Sequence, residues 1–147
     1  MTIFAAIRKT MIYITRKEHF NAAHKLARPE WSDEKNEEVF GKCANINWHG
    51  HNFNLYVTVK GEPSETSGFV IDLKVLSTLI KNLVVEKLDH KNLNLDVEFM
   101  RGIMPSTENL AIKIWEQLEG EIKKHTCELH SIKLFETENN YVEYFGK

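Results

Sequence analysis

The sequence predicts an α+β domain in which two helices cover one face of an antiparallel sheet. Three observations carry this reading. β-Branched and alternating segments come in pairs near the start and the end of the chain. Two segments with helical apolar spacing lie between them. The resulting order, ββααββ, keeps strand pairs apart from helix pairs, as expected when helices pack on one side of a sheet. A chain of 147 residues is the size of one domain and can bury a core without disulfide staples.

Each element has its own signal. The first strand is read over 11–24, "MIYITRKEHFNAAH", from its β-branched and aromatic content. Residues 25–42 are charged, with Pro29 and Gly41, and read as a long connection with room for a helical turn. Loops of that length in compact domains are often functional. The second strand spans 49–60, where Leu55, Val57 and Val59 alternate with Tyr56, Thr58 and Lys60. After the turn-rich "GEPSETSG", Leu73, Leu76, Leu79, Ile80, Leu83 and Val84 recur at helical spacing, with Asp72 as N-cap. Ser106 caps a second helix, whose stripe is Leu110, Ala111, Ile114, Trp115, Leu118 and Ile122. The last two strands flank a turn at Glu138-Asn139-Asn140. Residues 1–10 read as an extension ahead of a single domain at 11–147.

Composition excludes several classes. Formal net charge is −2, with no Lys/Arg block, which argues against a nucleic-acid binder. No apolar run approaches the roughly 18 residues needed to cross a bilayer, so no membrane partner is expected. Two cysteines, Cys43 and Cys127, make no disulfide framework, and a reduced, cytoplasmic protein is the default.

The chemistry concentrates in "CANINWHGHNF", residues 43–53. His49 and His51 are two apart on a strand and share a face. Alone, such a pair is commonly exposed and without function. His24, at the end of "FNAAH", is a third imidazole that strand pairing brings alongside, and the small residues before it let a second strand approach. Three protein ligands with an open position are what a catalytic zinc ion uses. Cys43 reads as a buried small residue, a fourth ligand or a reactive thiol. Asp89-His90 places a carboxylate beside an imidazole, which suits proton transfer but is also an ordinary charge pair. Glu136, near the end of the third strand, is solvated in the bland reading.

Taken together, "FNAAH", "FGKCANINWHGHNF", "SGFVIDL", "LDHKNLN", "STENLAIKIWEQL" and "FETENNYVEY" resemble the 6-pyruvoyl-tetrahydropterin synthase family over nearly the whole chain from Met11. The resemblance implies the T-fold, a four-stranded antiparallel sheet with two helices on one face. Three subunits would close their sheets into a barrel, and two trimers would form a homohexamer with active sites at subunit interfaces. It implies Zn2+ held by His24, His49 and His51, Cys43 as base, and Asp89 and His90 as a proton relay. It also implies Glu136 as the carboxylate that anchors the pterin ring, with Thr107 and Glu108 near the pterin pocket. The implied substrate is 7,8-dihydroneopterin triphosphate, converted to 6-pyruvoyl-tetrahydropterin with loss of triphosphate. Lys25, Arg28 and Lys42 are candidate cations for the triphosphate. The alternative is the branch that makes 6-carboxy-tetrahydropterin for queuosine from the same substrate. Five residues, "ANINW", separate Cys43 from His49; that spacing is similar to the pyruvoyl branch, whereas the queuosine branch typically has three.

Overall fold

The computed structural model describes residues 10–147. Except for its last residue, the expected extension at 1–10 lies outside them. Two long strands, β1 (Ile12–His24) and β2 (His49–Gly61), pair antiparallel in unbroken register from Ile12↔Gly61 to His24↔His49. β2 also pairs antiparallel with β4 (Glu128–Phe135), and β4 with β5 (Tyr141–Tyr144). Between β2 and β4 in sequence lies β3 (Lys91–Asn92), a two-residue strand parallel to β1 at Ala22 and Ala23. The sheet order is β3-β1-β2-β4-β5. The expected four-stranded antiparallel sheet is therefore a five-stranded mixed one. A two-residue strand has no alternation of its own to betray it, since its pairing depends wholly on β1.

In place of the expected pair, the described residues form four α-helices, two of them joined through a π turn. The connection after β1 contains α1 (Asp33–Phe40), capped by Ser32, whose hydroxyl accepts from the Lys35 N–H at 3.1 Å. The mid-chain helix runs as α2 (Leu73–Ile80), a π turn (Lys81–Val85) and α3 (Glu86–Leu88). Asp72 caps it as expected, accepting from the Lys74 N–H at 2.8 Å. The last helix, α4 (Thr107–Lys123), starts at Ser106, whose hydroxyl accepts from the Asn109 N–H at 3.2 Å.

One core joins these layers. Phe20, Phe53, Leu55, Val57, Ile132 and Leu134 point from one face of the sheet. They pack with Leu76, Ile80 and Val84 of the mid-chain helix and Leu110, Ile114 and Leu118 of α4. The other face is polar and partly open, with the Thr15 and Thr58 hydroxyls 2.7 Å apart. Alternation along β1 and β2 therefore decides what is buried, and it puts His24, His49 and His51 on the helix side with Phe20 and Phe53.

Candidate metal centre

The register alone accounts for the histidine cluster. His24 is directly opposite His49, and His51 is opposite Ala22. Gly50 lets the strands lie close here, because a Cβ on it would meet the Ala22 carbonyl oxygen at 3.3 Å. One ring nitrogen from each of His24, His49 and His51 lies within 4.8 Å of the others.

Each ring has an aimed or unpartnered nitrogen. The His24 Nδ1–H donates to the Pro105 carbonyl at 2.8 Å, which leaves Nε2 facing the cluster. His24 Nε2, both nitrogens of His49 and His51 Nε2 are buried without a hydrogen-bond partner. Buried polar nitrogens without partners are costly and uncommon. A cation at their centre would satisfy one nitrogen of each ring, so the residues fit the zinc ion expected from the sequence. The His24–Pro105 bond is the kind of outer contact that fixes a ligating imidazole's tautomer and orientation.

Burial holds all three imidazoles below histidine's ordinary 6.5. In His24 and His51 the nearby Glu136 carboxylate opposes this, and in His49 the neighbouring His24 adds to it. Neutral rings are the ligating form. The sign of the pH dependence follows, because an unfolded chain takes up these protons first. The contribution of these three imidazoles to the stability of the metal-free fold is thus full above 6.5 and is lost as pH falls below it. Zinc affinity is expected to be flat from about pH 8 to about pH 7 and to fall steeply at lower pH, as protons compete for the same nitrogens. Calorimetric zinc titrations across that range check this.

The other expected site residues divide between two cavities. One, of about 300 Å3, is lined by His24, Cys43, Thr107, Glu108 and Glu136 together with Tyr141. Cys43 sits in a short 3-10 turn, Gly41–Ala44, and its carbonyl accepts from the Leu26 N–H at 2.7 Å. The return to β2 passes through Trp48 with φ 67°, a left-handed conformation that a tryptophan seldom adopts. Thr107 and Glu108 belong to the first turn of α4. Glu136 Oε1 lies 3.4 Å from His24 Nε2 and 3.2 Å from His51 Nε2. Those contacts are at ion-pair distance but poorly aligned as hydrogen bonds.

His90 opens on a different cavity, of about 480 Å3, bordered by His51, Asn52 and Asp96, and Asp89 stands behind it. The two cavities share no lining residue: His24 lines one, His51 the other. Asp89 Oδ1 accepts from the Asn21 N–H at 2.9 Å, and its Oδ2 lies 3.0 Å from His90 Nδ1. The bond from Asn21 and the neighbouring imidazole together hold the Asp89 carboxyl below its usual range. His90 has φ 61°, a strained position of the kind that clusters at functional sites. Of the cations considered for the triphosphate, Arg28 pairs with Glu30 at 3.2 Å and Lys25 stands over the Trp48 ring at 4.5 Å. Lys42 shares a groove of about 660 Å3 with Lys25 and Asn45.

The sequence reading missed Pro105, which acts through its carbonyl, and Asn21, which acts through its N–H. Backbone groups leave no residue-type signature. The Pro-Ser start of α4 was visible, but not that the chain there would meet a histidine 81 positions away.

Similarity to known proteins agrees with this geometry. The family model for 6-pyruvoyl tetrahydropterin synthase matches residues 13–147. The chain belongs to the 6-pyruvoyl tetrahydropterin synthase family. It is 43% identical to the 6-pyruvoyl tetrahydrobiopterin synthase of Dictyostelium discoideum, over 92% of this chain and 97% of that one. It is 39% identical to the Drosophila melanogaster protein of the same name, over 95% and 82%. The solved 6-pyruvoyl tetrahydropterin synthase of Caenorhabditis elegans superimposes with a TM-score of 0.88 at 37% identity, covering 97% of this chain and 100% of that one. Membership points to a pterin as the small-molecule partner. Among the described residues, no helix is long and apolar enough to cross a membrane.

Proposed function

We propose that this chain is a zinc-dependent lyase that converts 7,8-dihydroneopterin triphosphate to 6-pyruvoyl-tetrahydropterin with loss of triphosphate. The observation that carries the reading is the convergence of three imidazoles, each with a buried and unpartnered nitrogen, beside a cavity that also holds Cys43 and Glu136. Family membership supplies the substrate class.

Each residue then has a task. His24, His49 and His51 hold zinc, with the Pro105 carbonyl setting the His24 ring. Bound zinc supplies Lewis acidity that stabilises negative charge on substrate oxygens. Cys43 removes a proton from the substrate side chain. The Asp89–His90 pair moves further protons, its imidazole oriented by the carboxylate. Glu136 anchors the pterin ring, because a carboxylate accepts two parallel N–H bonds. Thr107 and Glu108 border that pocket. The reaction rearranges electrons within the substrate, so no external redox cofactor is called for.

The assembly we propose is a homohexamer acting in the cytoplasm. Two features support the oligomer. β1 meets β3 at only two residue pairs along its outer edge, and β5 is the last strand on the other side. Such edges invite pairing with another chain. The separate openings of Cys43 and His90 also suit a site built from more than one subunit.

The test is to supply 7,8-dihydroneopterin triphosphate to the zinc-loaded protein and identify the products. The expected product is 6-pyruvoyl-tetrahydropterin with free triphosphate. Release of acetaldehyde with a carboxy-pterin would move the chain to the queuosine branch, and unchanged substrate would make it a pterin binder. Glu136→Ala is expected to weaken pterin affinity by about tenfold to a few hundredfold, the range for a lost charge-assisted hydrogen bond, while zinc stays bound. Unchanged affinity removes that role from Glu136.

A further inference from the structure

Resting on the functional reading above, we propose that Asn94 is a positioning residue for the histidine and cysteine site. The outer edge of β1 is held at alternate residues by the segment around β3. The Asn21 carbonyl accepts from the His90 N–H at 2.7 Å, and the Ala23 carbonyl accepts from the Leu93 N–H at 2.8 Å. The next residue in that series is Lys25, beyond the end of both strands. Here a side chain replaces the backbone. Asn94 Nδ2–H donates to the Lys25 carbonyl at 3.0 Å, and Asn94 Oδ1 accepts from the Lys25 N–H at 3.1 Å. A carboxamide carries the donor and acceptor that a strand residue would have offered. Asn94 thereby continues the ladder one step past its last main-chain rung.

The residue it pins has three relevant neighbours. Lys25 follows His24 directly. It precedes Leu26, whose N–H donates to the Cys43 carbonyl. Its ammonium stands over Trp48, the residue before His49. Asn94 is itself braced: its N–H donates to Asn92 Oδ1 at 2.9 Å, and the Asn92 N–H donates to Asp96 Oδ2 at 2.9 Å. An exposed amide held this firmly acts on the candidate ligands and base without touching them. It also ties them to the Asp89–His90 loop, so both halves of the proposed machinery share one support.

The test compares Asn94→Ala, Asn94→Asp and Thr15→Val with the wild-type chain. Thr15→Val removes a hydroxyl pair on the opposite face and controls for a general loss of stability. Zinc affinity is read by competition with a chromophoric chelator, site geometry by the visible spectrum of the cobalt(II)-substituted protein, and stability by thermal unfolding of the metal-free chain. Asn94→Ala is expected to lower zinc affinity several-fold, less than the roughly 10–100-fold lost with a group bonded directly to a ligating imidazole, and to shift the cobalt bands. Asn94→Asp keeps the acceptor but not the donor and falls between. Thr15→Val leaves affinity and spectrum alone whatever its effect on the unfolding midpoint. If the wild type binds zinc and Asn94→Ala matches it in affinity and spectrum, the inference is overturned while the functional reading stands. If the wild type binds no zinc, both fall.

Discussion

Replacing His49 with alanine is expected to remove the metal and the activity together. Both ring nitrogens of His49 are buried and bond to nothing in the protein, so the side chain has no hydrogen bond whose loss could explain the result otherwise. Its ring lies 4.5 Å from that of His24 and 5.0 Å from that of His51, centroid to centroid. Two remaining imidazoles make a poor zinc site, which needs three or four protein ligands. Zinc affinity should fall by more than the ~100-fold upper figure for outer-shell partners, and turnover with it. Metal analysis of the purified variant beside a product assay checks this, with circular dichroism to establish that the sheet is intact. A full complement of zinc in His49→Ala would end the ligand assignment.

Replacing Cys43 with alanine is expected to separate the two. Its thiol is not among the three groups that converge, so zinc should stay at wild-type content. Its structural tie is a main-chain one, the carbonyl that accepts from Leu26, and alanine keeps it. What disappears is the proposed base. Removing a positioned proton acceptor typically costs about 10²–10⁴ in rate, so turnover should drop in that range with the metal retained. Full turnover would pass the role to another group, with Glu136 and Glu108 the carboxylates in the same cavity.

The sequence made the larger elements legible because their signals are local. Alternation in β1 and β2, apolar stripes in the helices, and the caps at Asp72 and Ser106 each depend on residues within a few positions of one another. The histidine cluster was legible too, because a shared strand face and an antiparallel neighbour suffice to bring His24, His49 and His51 together. What stayed hidden depends on distant partners. β3 exists through Ala22 and Ala23. The π turn interrupts an apolar run, "LIKNLVVEKL", that reads equally well as plain α-helix. The left-handed Trp48 and His90 are not residue types that announce such backbone. α1 was the exception: its Ser-Asp-Glu start was a readable cap signal, outweighed by the charge and the Pro29 around it. The separation of Cys43 from His90 into two cavities could not be read from spacing, because it follows from how the 89–94 segment docks on the outer edge of β1.

The bond from His24 to Pro105 has a consequence for how this site can change. The acceptor is a main-chain oxygen, so no single amino-acid exchange can delete it; a mutation can only shift the peptide that bears it. That peptide leads directly into Ser106 and the start of α4. The aim of the imidazole is therefore inherited from the seating of a whole helix, and defects far along that helix could register first as a misdirected ring.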